Sequence, residues 1–520
     1  MSLTGPPLAR PATLAMLLEL ALATRPDAPA LLAGDGPMTF RELDAAAARL
    51  AAGLLDLGLK PGDRAASLMP NSDELLVYYL ACAKAGLAAT PLNYRYAVPE
   101  IDHALQTSGA AVLVCAGERQ PDIARSAAAG KLPRGVIWHG DLGGAGPRLQ
   151  ALIDGSVARP LPVPSPDAPA FIFFTSGSTG LPKGVTHTHA TFGWMVASNA
   201  QAFELEPGEV ILPATSMSHV GAILFCLSAL AAAATVVVAR RFDGSELLPL
   251  LRAHRPAMLV MLPAPLLCLV RDHGAQGEDF ASVRVCVCGG DKVSAELERE
   301  YTALTGRVID EGYGMTEMGM ATRNPIAGPI REGSVGTPAP GFEVQLRDDD
   351  GRPVPRGADG RLWVRAPSVM ARYWNAPEAT AEVLRDGWLD TGDMMRADAE
   401  GYLWFRGRKK QLIIHDGSNI APQEVEEALL EHPGVESAGV IGIHHPLHGE
   451  IVRAYIVPRD PARRPTAQAI IEFTRTRIAA YKAPEEIIFL DEMPLNPTGK
   501  VDRVLLKRQA EASAQHASIA

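Results

Sequence analysis

Short apolar runs alternate with helical patterns through the first two thirds of the sequence. A helix is predicted over Arg41–Leu59, where apolar residues recur at helical spacing until the turn Lys60-Pro61-Gly62-Asp63. Strand-like runs recur between such helices, at Ala65–Leu68, Ala111–Cys115, Ala170–Phe174, Ala234–Ala239, Met258–Met261 and Arg284–Cys288. Short strands that alternate with helices predict the α/β class, with layered architecture and mainly parallel sheets.

The later part of the sequence has a different texture. Shorter strands separated by turns are predicted at Glu343–Arg347, Arg361–Arg365 and Tyr402–Phe405. They indicate an antiparallel, β-rich subdomain. From Gln411 onward an α+β pattern follows, with a helix at Gln423–Glu431 and a strand at Ala454–Val457.

The length of the chain sets the number of domains. A chain of 520 residues is too long for one hydrophobic core. We predict a large N-terminal domain at residues 1–410, which contains the β-rich subdomain, and a small C-terminal domain at residues 411–520.

The charge balance argues against nucleic acid as the main partner. The formal net charge is −10, whereas nucleic-acid phosphates are bound by net-basic surfaces. Hydrophobic residues make up 47% of the chain and charged residues 21%, which is typical of a globular protein. These values fit a cytoplasmic enzyme.

Two apolar segments look like targeting or membrane signals but are interpreted otherwise. Ala12–Ala23 resembles the core of a signal peptide, yet Glu19 interrupts it and Pro26 ends it. An amphipathic first helix is predicted there. Gly221–Ala239 approaches the length of a membrane span but changes from alanine-rich to valine-rich. It is interpreted as a helix followed by a buried strand.

Two groups of cysteine or histidine residues resemble metal sites. Cys286 and Cys288 alternate along a predicted strand, with no histidine or second cysteine pair at ligand spacing. Buried thiols are therefore predicted. The segment His444-His445-Pro446-Leu447-His448-Gly449-Glu450 also lacks a second ligand arm. A surface loop is therefore predicted there in preference to a metal site, with CoA as a candidate contact.

A loop rich in glycine, serine and threonine follows the predicted strand Phe171–Phe174. The stretch Phe173–His187 reads FFTSGSTGLPKGVTH. Its glycines let a ligand approach the backbone N–H groups closely, its hydroxyl groups add donors, and Lys183 adds a mobile positive charge. Together these features predict a phosphate cradle. The loop is not a Walker A loop, because Pro182 stands where that pattern has glycine.

Further motifs place this loop in a family context. TSGSTGLPKG resembles the phosphate loop of the adenylate-forming enzymes, which include acyl-CoA synthetases, peptide-synthetase adenylation domains and beetle luciferases. Other segments resemble that family's motifs in the family's order: Tyr313-Gly314-Met315-Thr316-Glu317, Trp388-Leu389-Asp390-Thr391-Gly392-Asp393, Gly407-Arg408 and Pro497-Thr498-Gly499-Lys500. The resemblance covers nearly the whole chain, from Thr39 to Lys500.

The resemblance implies a two-step activation of a carboxylic acid with ATP, Mg²⁺ and CoA. A carboxylate is a poor electrophile because its charge is delocalised and oxide is a poor leaving group. Transfer of AMP from ATP gives a mixed anhydride, acyl-AMP, and releases pyrophosphate. The thiol of CoA then displaces AMP and forms acyl-CoA.

The family motifs also imply roles for individual residues. The phosphate loop supplies the ligands of the β- and γ-phosphates: Thr175, Ser176, Gly177, Ser178, Thr179, Gly180 and Lys183. Glu317 is implied as the Mg²⁺ ligand, since this hard cation prefers oxygen, and Thr316 as a ligand of the α-phosphate. Tyr313 faces the adenine, and Asp393, with Arg408 as a partner donor, binds the ribose.

Lys500 is implied to stabilise charge during adenylation. A flexible ammonium can pair with the carboxylate and the α-phosphate in the transition state. The resemblance further implies that the small C-terminal domain is mobile and swings after adenylation, so that Lys500 serves only the first step. Gln411 stands at the hinge where the family commonly has an acidic residue, and Gly417 is expected beside the pantetheine tunnel.

The acyl pocket follows from the resemblance as well. Its walls are expected to include His219, grouped with the catalytic residues, and the glycines Gly221, Gly290, Gly312 and Gly314, with Asp291 as a charge near the pocket. Glycines there leave room for a chain or a ring. Malonate-specific members of the family carry arginine where this chain has Gly312. An apolar acid is therefore predicted: fatty, aromatic or alicyclic.

Three functions stay open at this point. The first is an acyl-CoA synthetase. The second is a ligase that loads a separate carrier protein. The third is a non-catalytic binder of acyl groups or nucleotides, against which the retained Lys183, Glu317 and Lys500 argue. A homodimer is also open.

Overall fold

The structure is a computed structural model. It describes residues 2–8, 13–34, 36–161, 163–175, 182–290, 293–326, 328–408, 411–415, 418–445, 449–478, 480–496 and 499–519. The α-helices in these ranges are Glu19–Thr24, Phe40–Asp56, Asp73–Ala85, Val98–Ser108, Gln120–Arg125, Leu149–Gly155, His189–Ala202, Val220–Ala231, Gly244–His254, Pro263–Arg271, Ala295–Thr305, Pro377–Val383, Pro422–Leu430, Ala467–Arg475 and Arg503–Ile519.

A mostly parallel sheet carries the strand before the phosphate loop. Its strands, in spatial order, are Arg372–Tyr373, Lys183–Thr188, Pro169–Thr175, Ala88–Pro91, Arg64–Leu68, Val112–Ala116 and Val136–His139. Only the first two strands of that order run antiparallel to their neighbours. Most strand residues are apolar and buried, as expected for a sheet covered on both faces.

A second mostly parallel sheet has its own order of strands. These are Asp310–Glu311, Val285–Cys288, Met258–Met261, Val210–Pro213, Thr235–Val237, Pro29–Ala33 and Gly36–Thr39. Only the last pair is antiparallel. The two sheets confirm the predicted layered α/β architecture, because helices alternate with their strands along the chain.

Antiparallel sheets follow, as predicted. One contains Ser2–Thr4, Glu343–Arg347, Asp359–Arg365, Trp388–Ala397, Leu384–Arg385 and Leu403–Arg408. A smaller one contains Tyr313–Met315, Gly319–Arg323 and Thr337–Pro338. The first therefore joins the beginning of the described chain to a strand some 341 residues later.

The C-terminal part has a separate sheet and separate cores. Its strands are Ser418–Ile420, Ile413–His415, Gly449–Pro458, Val435–His445 and Glu486–Phe489. Among the described residues, its two clusters of buried apolar side chains draw on nothing before Ile413. The α+β pattern is confirmed, and the domain boundary at residues 410/411 stays a prediction.

The first helix differs from its prediction in geometry but not in its buried face. Leu14, Leu17, Leu18 and Ala21 are buried at helical spacing. Leu14–Met16, however, forms a 3₁₀ turn and the α-helix begins only at Glu19, because i→i+3 bonds tighten the first turn. In the part of the chain that the structure describes, no helix is long and apolar enough to cross a membrane.

The cysteines mostly follow expectation. Cys286 and Cys288 lie buried in the same apolar cluster, as predicted from their alternation. Cys268 is the exposed exception among the six. Of the histidine-rich segment, residues 446–448 lie outside the described residues, and His444 is exposed at the end of a strand.

Candidate active site

The strands on either side of the phosphate loop bring its two ends together. Thr175 and Lys183 are direct partners in the antiparallel pair Pro169–Thr175 and Lys183–Thr188. The loop residues Ser176, Gly177, Ser178, Thr179 and Gly180 lie outside the described residues. Nε2 of His103 lies 2.9 Å from the carbonyl oxygen of Pro182, and this contact anchors the end of the loop.

A tight hairpin presents Thr316 and Glu317. Its arms are Tyr313–Met315 and Gly319–Arg323, and Met318 N donates to the carbonyl oxygen of Met315 at 3.1 Å. Gly319 turns the chain with φ of +78°, and a Cβ there would lie 2.5 Å from Cγ of Met195. Only glycine fits both conditions.

The side chain of Glu317 is buried and held by a tyrosine. Only 5% of Glu317 is exposed, and its Oε1 accepts a hydrogen bond of 2.8 Å from the hydroxyl of Tyr373. The ammonium nitrogen of Lys183 lies 5.2 Å from the centre of the same tyrosine ring. Glu317 and Lys183, which the sequence assigned to different motifs, thus meet across Tyr373.

Tyr313 and Asp393 are also brought together. The hydroxyl of Tyr313 donates to Oδ2 of Asp393 at 2.6 Å, and the tyrosine ring stacks on Phe405 with centroids 6.2 Å apart. Asp393 is the direct strand partner of Arg408, whose side chain lies outside the description. The adenine platform and the ribose carboxylate predicted from sequence are therefore neighbours.

His219 lies at the N-terminus of helix Val220–Ala231 and is half-buried. Its Nε2 lies 3.3 Å from Nδ2 of Asn93. Removal from water, and to a smaller extent the positive charges of Arg95 and Lys500, lowers the pKa of His219 to about 4. The imidazole is therefore neutral near pH 7. Lys500, predicted from a motif 281 residues away in sequence, is thus close enough to act on His219.

Two of the predicted pocket glycines are explained differently by the structure. A Cβ at Gly312 would lie 2.3 Å from Cε of Met320, and one at Gly314 would lie 2.4 Å from the carbonyl oxygen of Gly319. These glycines let the hairpin arms pack closely, and their place in the acyl pocket stays a prediction. Gly290 has φ of +84°, and Gly221 has open space where a Cβ would stand.

Two predicted site residues fall outside this account. Asp291 and Gly417 lie outside the described residues.

Thr316 is half-buried, and its carbonyl oxygen accepts a 2.8 Å hydrogen bond from Nε2 of His187.

Three residues of this site were missed from the sequence. They are His103, His187 and Tyr373. His187 lies within the quoted loop stretch, but nothing in its spacing indicated a bond to Thr316. Tyr373 lies in a strand of two residues, which is too short to show a periodic pattern.

Three histidines with lowered pKa values, the buried His187 and His189 and the half-buried His219, predict a loss of stability in mild acid. Burial lowers the pKa of His187, His189 and His219 to about 4 from an ordinary value of 6.5. Between these values the unfolded chain binds protons that the folded chain does not, so stability falls as pH falls through this window. Each histidine contributes a slope of about 1.4 kcal/mol per pH unit. Urea denaturation at several pH values measures it.

A matched variant tests whether these histidines cause the dependence of the unfolding free energy on pH. His187→Phe keeps the edge-to-face packing on Phe192 but removes one titrating ring. The slope is then expected to fall by about a third. An unchanged slope, or greater stability in acid, would contradict the prediction.

The comparisons with known proteins agree with this geometry. Residues 18–374 match the family model of the AMP-binding enzymes, and residues 424–500 match that of the AMP-binding enzyme C-terminal domain. The chain belongs to the AMP-binding enzyme family. It is an AMP-forming acyl-CoA synthetase, an acid–thiol ligase that uses ATP, Mg²⁺ and CoA. This result confirms the family, the fold class and the reaction class predicted from the sequence.

Relatives of this synthetase carry several names. A feruloyl-CoA synthase of Amycolatopsis sp is 37% identical over 93% of this chain and 96% of its own. A fatty acid–[acyl-carrier-protein] ligase of Streptomyces coeruleorubidus is 33% identical over 92% of each chain.

Two solved structures of MatB from Rhodopseudomonas palustris allow the arrangement of the whole chain to be compared. ATP-bound MatB from Rhodopseudomonas palustris superposes with a TM-score of 0.88, at 31% identity, over 96% of this synthetase and 99% of MatB. The apo form of MatB has the same identity and coverage but a TM-score of 0.78. The synthetase is therefore closer in overall arrangement to the ATP-bound form.

The residues present fit a magnesium ion held mainly by substrate. Glu317 offers a carboxylate in a mostly buried position. Within the described ranges, no group of three or more His, Cys, Asp or Glu side chains could hold a metal. Mg²⁺ commonly binds one or two carboxylates together with phosphate oxygens and water. When bound, it neutralises phosphate charge and orients the polyphosphate.

Proposed function

We propose that this synthetase activates an apolar carboxylic acid, with an aromatic acid as the first class to test. By the family resemblance, malonate-specific members carry arginine at the position of Gly312, where this chain has no cation, and the neutral His219 adds no charge to the pocket. The relative named feruloyl-CoA synthase supports the aromatic class. A fatty or alicyclic acid is the remaining apolar choice.

The observation that carries the proposed site is the placement of Lys500. It lies close enough for its charge to lower the pKa of His219, although the two residues are 281 apart in sequence. In this arrangement Lys500 can pair with the substrate carboxylate and with the α-phosphate, and so stabilise the charge that develops between them. The closer match to the ATP-bound MatB structure supports the same arrangement.

The other residues each bind a different part of ATP or its metal ion. Lys183 holds the outer phosphates, Thr316 the α-phosphate, and Glu317 the magnesium ion. Tyr313 packs on the adenine. Asp393 accepts from the ribose hydroxyl groups, and its present bond to Tyr313 keeps the two positions at a fixed distance.

The acyl group then passes to CoA. We propose that the C-terminal domain, residues 411–520, rotates about the Gln411 hinge and brings Gly417 beside the pantetheine arm. Gly407 supports a hinge here because its φ of +108° is open to glycine alone. A separate carrier protein is the second candidate acceptor, since one relative is named as a ligase of that kind.

The test measures pyrophosphate release from ATP and Mg²⁺ with a panel of aromatic, fatty and dicarboxylic acids, with and without CoA. Multiple turnovers only with CoA, together with an acyl-CoA product, are expected for an apolar acid. A single stoichiometric burst of acyl-AMP that CoA does not relieve would favour a carrier protein. Faster turnover of dicarboxylic acids would overturn the substrate class.

A further inference from the structure

One short segment connects the phosphate-loop strand to the turn that presents Glu317. We call Ser368–Trp374 the strap. Its end pairs with the strand Lys183–Thr188: Ala371 N donates to the carbonyl oxygen of Thr186 and Trp374 N to that of Gly184, at 2.9 and 2.7 Å. The strap is thus fixed to the strand that begins with Lys183.

The same strap also holds the hairpin turn on its other side. Met370 N donates to the carbonyl oxygen of Glu317 at 2.7 Å. The hydroxyl of Ser368 donates to the carbonyl oxygen of Met318 at 3.1 Å. Two backbone groups of the turn are therefore bound by the segment that is paired with the Lys183 strand.

The side chain of Tyr373, within the strap, contacts both Glu317, the proposed ligand of the metal, and Lys183, the proposed ligand of the outer phosphates. Its hydroxyl donates to Oε1 of Glu317 at 2.8 Å. Its ring lies under the ammonium of Lys183, 5.2 Å from the ring centre, within the range of a cation–π contact. The residue itself is 8% exposed, so neighbouring atoms fix the ring.

We propose that Tyr373 is a positioning residue that orients the Glu317 carboxylate towards Mg²⁺ and holds Lys183 at a set distance from it. By donating to Oε1, the hydroxyl fixes the rotation of the carboxylate, so that its other oxygen has one direction in which to bind a metal. By stacking under the ammonium, the ring limits where Lys183 can stand. This inference rests on the proposed roles of Glu317 and Lys183.

Two substitutions separate the hydroxyl contact of Tyr373 with Glu317 from its ring contact with Lys183. Tyr373→Phe removes the hydroxyl and keeps the ring, whereas Tyr373→Leu removes both. Tyr373→Phe is expected to raise the Mg²⁺ concentration for half-maximal pyrophosphate release by about tenfold, as is common when the partner of a metal ligand is lost. The KM for ATP at saturating Mg²⁺ is expected to change by less than about twofold in this variant, and to rise only in Tyr373→Leu.

Metal binding is also measured without turnover. In the presence of ATP and no acid, Mn²⁺ is titrated and its free concentration is followed by electron paramagnetic resonance. Tyr373→Phe is expected to weaken Mn²⁺ binding by about tenfold. Thermal unfolding of each variant shows whether the fold is retained.

Tyr402→Phe is the matched control. Tyr402 is also buried, donates its hydroxyl to the carbonyl oxygen of Pro329 at 2.8 Å, and carries Arg331 over its ring at 4.3 Å. It has the same three features without contact to Glu317 or Lys183. Its metal dependence is expected to equal that of the wild type.

A second comparison separates this inference from the proposed function. Glu317→Gln in the same assays is expected to weaken metal binding more than Tyr373→Phe does. If Glu317→Gln leaves metal dependence unchanged, the proposed role of Glu317 fails. If Glu317→Gln weakens metal binding and Tyr373→Phe matches Tyr402→Phe, the positioning role of Tyr373 alone is overturned.

Discussion

Replacement of Lys500 by alanine is expected to slow acyl-AMP formation by about 10²–10³-fold, the usual cost of losing one group that stabilises transition-state charge. Formation of acyl-CoA from supplied acyl-AMP is expected to stay near the wild-type rate, because the proposed rotation of the C-terminal domain removes Lys500 from the second step. Pyrophosphate release measures the first half-reaction, and consumption of the CoA thiol measures the second.

The control for this experiment is Lys507→Ala. Lys507 is an exposed lysine of the helix Arg503–Ile519 in the same part of the chain, and its loss is expected to leave both half-reactions unchanged. Equal losses of both half-reactions in Lys500→Ala would contradict the assignment. An independent readout exists as well, since the charge of Lys500 lowers the pKa of His219 and its removal should raise that pKa.

The second large effect concerns stability. Arg323→Met is expected to lower the free energy of unfolding by about 3–5 kcal/mol, because it leaves the buried carboxylate of Asp310 without its cation. The two side chains are each 6% exposed and 3.1 Å apart. The guanidinium also lies 4.6 Å from the centre of the Phe203 ring and donates to the carbonyl oxygen of Ala202. Urea denaturation measures the change.

Two further variants test the cause of that loss. Arg352→Met removes an ion pair with Asp350 in which the side chains are 76% and 68% exposed, so it should cost less than about 1 kcal/mol. Adding Asp310→Asn to Arg323→Met removes the isolated charge and should recover about half of the loss. If the double variant is no more stable than Arg323→Met, burial of charge is not the cause.

Hydrogen bonds connect this ion pair to the strand that precedes Gly312 and Tyr313. Asn324 donates through Nδ2 to Asp310 and to the carbonyl oxygen of Glu311, at 3.2 and 3.1 Å. These bonds fix the strand that leads into Gly312 and Tyr313. A variant that loosens the pair is therefore expected to weaken ATP binding as well as stability.

Elements with a strong pattern could be predicted from the sequence. The strands Met258–Met261 and Glu343–Arg347 have the predicted bounds. Burial decides which of their positions are apolar, so the pattern is visible in the sequence. The predicted helix Gln423–Glu431 is observed at Pro422–Leu430. The motif residues Tyr313 and Asp393 could be assigned to one site through the family resemblance, and the structure places them in contact.

Contacts between distant segments could not be predicted. Tyr373 and Glu317 are 56 residues apart, and His187 and Thr316 are 129 apart. Both contacts depend on how strands pair, and hydrophobic periodicity carries no information on pairing. The close packing at Gly312 and Gly314 could not be predicted for the same reason, since a Cβ at either position would meet the opposite arm of a hairpin.

The pairing of Ser2–Thr4 with Glu343–Arg347 has a consequence for biosynthesis. The two strands are separated by about 341 residues. At about 5–20 residues per second, the ribosome needs about 20–70 s to make that interval. Throughout this time the strand Ser2–Thr4 lacks Glu343–Arg347 as its partner, and its short length of three residues limits its tendency to pair with other chains. A fusion that extends this strand with β-forming residues should therefore lower the yield of soluble protein more than the same fusion at the other terminus.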